Sequence, residues 1–137
     1  MTSYARYDGA TLPRAVGSDL PSGSRVSDGR AGHLCFGPYA TLDPGTYVAG
    51  YYVRKLPGSS RGQIDFDVFV AGREVLAHRT VSTETLFEDT LAFLTVEFSV
   101  DERAERTEVR LYVHHGVLVE ISELVIFSTR PRNWGGK

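Results

Sequence analysis

From residue 34 onward the chain is written in short runs of alternating apolar and polar residues, each closed by Gly, Pro, Asp or Ser. An extended chain points successive side chains to opposite sides, so a period of two sorts each run into one buried and one outer row. The runs are residues 34–39, 46–55, 63–70, 74–81, 92–100, 108–114 and 117–127, and β-branched and aromatic residues dominate them. The punctuation suits antiparallel turns. Leu42-Asp43-Pro44-Gly45 pairs a residue with preset φ with a permissive one, Ala71-Gly72 closes a tight hairpin, and His115-Gly116 joins the last two runs. Residues 85–91 could hold one helical turn, and residues 101–106 read as a charged, solvated connection. The fold class that follows is all-β, a two-sheet antiparallel sandwich.

At 137 residues the chain is the size of one domain. Residues 1–32 read as an irregular lead-in with one or two short strands, and residues 129–137 as a tail. Cys35 is the sole cysteine, so no internal disulfide staples the fold, and its apolar surroundings predict a buried, inert thiol. A net charge of -2 gives no electrostatic reason to bind nucleic acid or an anionic membrane. The first ten residues hold no apolar stretch of the signal-peptide kind, and no segment is long and apolar enough for membrane insertion. The expected location is the cytoplasm, or outside the cell by a signal-free route.

Splitting the runs by parity gives a consistent interior: Tyr47, Ala49, Tyr51 and Val53; Ile64, Phe66, Val68 and Val70; Leu94, Val96, Phe98 and Val100; Val109, Leu111 and Val113; Val117, Val119 and Ile121. The opposite row holds Tyr52, Arg54, Asp65, Asp67, Phe69, Thr95, Glu97, Arg110, Tyr112 and His114. Carboxylates and guanidinium groups give sugar hydroxyls fixed hydrogen bonds, and ring faces cover the C–H patches of a pyranose, so such a surface suits a saccharide. Cross-strand acid–arginine pairs are also ordinary stabilising ladders on a solvated sheet, which leaves both readings open. Trp134, in the tail, either folds back on the sandwich or offers its ring to a ligand.

No catalytic constellation appears, and the chain reads as a non-enzyme. His33 and His78 carry no motif around them, while His114 and His115 are neighbours that a strand points to opposite faces, so they cannot chelate one zinc ion. No cofactor is expected. Calcium is the one ion with some support, from Asp65 and Asp67 on one face with Glu97 near, but the loop cage it prefers is missing.

The stretch Gly32-His33-Leu34-Cys35-Phe36-Gly37-Pro38-Tyr39, with Leu42-Asp43-Pro44-Gly45-Thr46-Tyr47, Asp65-Phe66-Asp67-Val68 and Val75-Leu76-Ala77, resembles carbohydrate-binding-module-like domains found beside bacterial glycosyltransferases and surface-polysaccharide enzymes. The resemblance runs from about Leu12 to Phe127. It implies a jelly-roll, galactose-binding-like sandwich and a lectin-like, non-catalytic role on a glycan or polysaccharide. The ligand-binding residues expected from the outer row are Tyr52, Arg54, Asp65, Asp67, Glu97, Arg110, Tyr112 and His114, with Trp134 from the tail. The competing expectation is a structural or assembly protein, forming homo-oligomers or docking on polysaccharide-synthesis proteins through sheet faces or edges.

Overall fold

A computed structural model describes residues 4–72 and 74–129. Its strands are β1 (Tyr4–Asp8), β2 (Ser18–Asp19), β3 (Arg25–Val26), β4 (Gly32–Cys35), β5 (Pro38–Leu42), β6 (Gly45–Lys55), β7 (Gln63–Val70), β8 (Val75–Ser82), β9 (Ala92–Val100), β10 (Ala104–Val113) and β11 (Val119–Ser128). They form two antiparallel sheets. The six-stranded sheet runs β2-β3-β11-β6-β9, with β1 also on β11. The five-stranded sheet runs β4-β10-β7-β8, with β5 also on β10. In each, one long strand takes two short partners along one edge: β11 pairs β3 at Glu120 and Ile121 and β1 from Glu123 to Phe127.

The inner faces of the two sheets meet in one apolar cluster, and every core residue expected from parity is buried there. Removing a Val, Leu, Ile or Phe side chain from water contributes about 1.5–3 kcal/mol, so this shared layer is the main source of stability in a chain without staples. Tyr51 is wholly buried, and its hydroxyl donates to the Val109 carbonyl across the sandwich, which satisfies the one polar atom the ring brings inside. Cys35 lies in the same layer, where burial pushes its thiol up to about 12.

The structure departs from the sequence expectation in four places. The lead-in carries three strands, because its short segments find backbone partners on β11 and on one another. The run 34–39 is broken at Gly37 into β4 and β5, which pair with different stretches of β10. Residues 104–106 belong to β10, since Ala104 and Thr107 are buried and the strand bulges between them, with Arg106 at φ +60°. Finally, residues 85–91 form no helix beyond the single 3-10 turn at Thr83–Thr85, capped by Ser82 accepting from the Glu84 amide.

Candidate functional site: the outer face of the six-stranded sheet

The outward residues expected to make one surface sit on the two opposite faces of the sandwich. Tyr52 and Arg54 on β6 and Glu97 on β9 belong to the six-stranded sheet. Asp65 and Asp67 on β7, Arg110 and Tyr112 on β10, and His114 just past it belong to the five-stranded sheet. Parity separates inside from outside but says nothing about which sheet a strand joins, so one row in the sequence becomes two surfaces back to back. Glu97 is thereby parted from Asp65 and Asp67, and those three carboxylates cannot surround one calcium ion. Trp134 lies outside the described residues.

On the five-stranded sheet the polar groups satisfy one another. Asp67 accepts from Arg110 Nε at 2.8 Å and Nη2 at 2.7 Å, and the guanidinium lies 4.3 Å from the centre of the Phe69 ring. Asp65 accepts from the Thr80 hydroxyl, meets His114 Nε2 at 2.6 Å and has His78 Nε2 at 3.7 Å. Burial pushes the Asp65 carboxyl up, but the Thr80 and His114 hydrogen bonds and the charges of His114 and His78 outweigh it and hold it below its ordinary value. Tyr112 stands edge-on between the rings of His33 and His114. This is the cross-strand ladder reading of those residues: the register sets Asp67 between Arg110 and His78, and Asp65 between Tyr112 and Thr80 with His114 and His78 in reach on the diagonals.

The outer face of the six-stranded sheet is arranged differently. Across β1, β11, β6 and β9 the register sets Tyr4 beside Phe127, Arg6 beside Val125, Val125 beside Gly50, and Tyr52 beside Phe93. These side chains, with Glu123, line a groove of about 410 Å³, within the usual range of ligand pockets. Tyr52 and Phe93 stack with ring centroids 4.5 Å apart, and Phe93 is 36% exposed. Tyr4, at the far end, is 64% exposed, too much for a core residue and apt for a ring that awaits a partner. Tyr4 and Phe127 also wall a smaller cavity of about 160 Å³ with Thr41, Asp43 and Tyr47 at the end of the sandwich.

Gly50 makes room for this floor. A Cβ there would lie 2.5 Å from Phe93 Cε1, so the ring rests on bare backbone. The carboxylate arrives through a bulge: Ile121 pairs with Val53 and Leu124 with Tyr51, so Ser122 and Glu123 together oppose Tyr52. After that extra residue the inward parity passes from Val119 and Ile121 to Leu124 and Ile126, and Glu123, Val125 and Phe127 face out. Arg6 Nε stands 2.6 Å from Glu123 Oε1, yet that oxygen, closed off from solvent, has no aligned hydrogen-bond donor among the described residues. Arg54 is spoken for by Glu120, at 2.8 Å, and the Glu88 carbonyl, at 2.6 Å.

Of the groove lining, only Tyr52 was singled out from the sequence. Tyr4 and Arg6 share parity in Tyr4-Ala5-Arg6-Tyr7-Asp8, a signal too short to separate from the surrounding irregular chain. Glu123, Val125 and Phe127 were hidden by the bulge, which no residue pattern announced.

No family model matches the chain, and no sequence of a curated protein matches it. Solved structures do. The chain is similar to a family 6 carbohydrate-binding module of Cellvibrio mixtus lichenase 5A, solved with cellotriose, at a TM-score of 0.63 and 9% identity over 92% of this chain and 98% of that one. A xylan-binding module of family 15 gives a TM-score of 0.61 at 11% identity, covering 93% of this chain and 91% of that one. The C-terminal family 6 module of the laminarinase LamC from Zobellia galactanivorans gives 0.60 at 15%, covering 90% and 98%. The fold is that of a carbohydrate-binding module. This module-like β-sandwich spans nearly the full length of those modules, so the likeness rests on the whole two-sheet arrangement and not on a shared fragment.

Proposed function

We propose that the protein is a non-catalytic carbohydrate-binding module that holds a glycan in the groove on the outer face of its six-stranded sheet. The observation that carries this reading is the groove itself: stacked Tyr52 and Phe93 at one end, exposed Tyr4 at the other, and a charged pair between them. Rings cover the C–H faces of sugar units and the charged pair binds hydroxyls, which is the division of labour a saccharide needs. The solved modules of this fold support the reading, one of them named as xylan-binding and another solved with cellotriose.

The same groove speaks against hydrolysis. A glycosidase sets two carboxyl groups across the scissile bond, and the described groove lining contributes one, Glu123. Phe93→Ala and Tyr52→Ala test the reading by titration against neutral oligosaccharides. Both variants, melting close to the parent, lose roughly tenfold or more in affinity, as loss of a stacking ring predicts. Unchanged affinity in both would discard the groove.

A further inference from the structure

The Arg6–Glu123 pair sits midway along the groove, and its geometry is incomplete. Glu123 Oε1 is closed off from solvent with its cation 2.6 Å away and no aligned donor among the described residues, while the Arg6 side chain remains 57% exposed and the Glu123 side chain 23%. A sugar hydroxyl on the solvent side of the pair engages both, accepting from the exposed Arg6 guanidinium and donating to the outer oxygen of Glu123, because a hydroxyl donates one hydrogen bond and accepts others. A uronate carboxylate would accept from Arg6 but meet Glu123 with like charge. An amino-sugar ammonium would donate to Glu123 but meet Arg6 in the same way.

Resting on the glycan reading of this groove, we infer that the Arg6–Glu123 pair is a charge filter that admits uncharged, hydroxyl-rich sugar chains and rejects charged sugars of either sign. The surrounding face deepens the bias against acidic chains. Outward side chains on β1, β11, β6 and β9 include Arg6 and Arg54 against Asp8, Glu97, Glu120 and Glu123, an excess of acids. Like charge brought together in a partly desolvated site costs enough to decide between partners, so the filter works by repulsion as well as fit. The rings set the length: Tyr4 and Phe93 stand on strands three spacings apart, about 14 Å across the sheet at roughly 4.8 Å per strand, and the register offsets them along the strands as well, Tyr4 lying in the row of Glu97, so the occupant is a chain of several rings.

The test is calorimetric titration at low ionic strength against three panels: neutral glucan and xylan oligosaccharides, oligouronates, and glucosamine oligomers. The protein binds members of the neutral panel at least tenfold more tightly than the charged ones. Glu123→Gln narrows the gap to oligouronates tenfold or more, and Arg6→Gln does the same for glucosamine oligomers. Thermal melts of the two isosteric or near-isosteric variants report whether each remains folded, and Glu123→Asn with Arg6→Met supply a second pair if either does not. Equal or tighter binding of a charged panel by the parent protein, or preferences unmoved by both substitutions, overturns the filter while the glycan reading stands. Absence of binding to all three panels overturns both.

Discussion

Arg25 is 1% exposed, and its guanidinium is held by acceptors from three other segments. Nε donates to Asp19 at 2.7 Å, and Nη1 donates to the carbonyls of Pro13 at 3.2 Å and Leu34 at 3.0 Å. It ties the lead-in to β4, and this is why a Gly- and Ser-rich segment holds a fixed path over the core. Arg25→Ala leaves those carbonyls and the Asp19 carboxylate without their donor, and it is expected to cost about 3 kcal/mol in denaturant unfolding. Nothing in the sequence marked this arginine, because a buried role depends on acceptors that arrive from three other segments. Asp65 was legible as an outer acid, but its partners were not. Its carboxyl is held below the usual value in the folded state, so its contribution is present above the unfolded value, about 4, and is lost as the pH falls through the lower folded value. Asp65→Asn therefore flattens the acid limb of the stability curve, seen as a smaller drop in melting temperature than the parent shows between pH 6 and pH 3.

At the scale of the element, period-two alternation identified the long strands and their interior rows, and every core side chain it named is buried. That pattern is legible because one face of each strand must leave water. It failed at the bulge of β11 and at the bulged start of β10, where one inserted residue reverses the parity for the rest of the strand. Gly50 belongs to this scale too. Gly50→Ala places a Cβ against the Phe93 ring and 3.0 Å from Thr95 Cγ2. The ring, at the surface, can swing away, so the expected stability cost is modest, about 1–2 kcal/mol, while glycan affinity falls as the Tyr52–Phe93 platform is broken. A titration beside a thermal melt separates the two effects.

For the whole molecule, the decisive fact is that the two sheets turn different outer faces to solvent. The five-stranded face closes its charges on itself, through Asp67 with Arg110 and Asp65 with His114, Thr80 and His78. The six-stranded face leaves rings and a charged pair open in a groove. Breaking the first with Arg110→Ala is expected to lower stability by about 1–3 kcal/mol, through the stranded Asp67 and the uncovered Phe69, and to leave glycan affinity unchanged. A parallel loss of affinity would move the binding surface to the other side of the sandwich.

The alternation of residue types was enough to determine that this chain folds as paired antiparallel sheets and which side chains fill the space between them, since water expels one row of every strand wherever the strand goes. Which strands share a sheet was decided only by tertiary pairing. That pairing separated Tyr52 from Asp67 and Tyr112, brought Tyr4 and Arg6 from the lead-in beside β11, and turned Glu123 outward at a bulge. A surface site is made of neighbours in space, and hydrogen-bonded register between distant segments, not spacing along the chain, makes them neighbours.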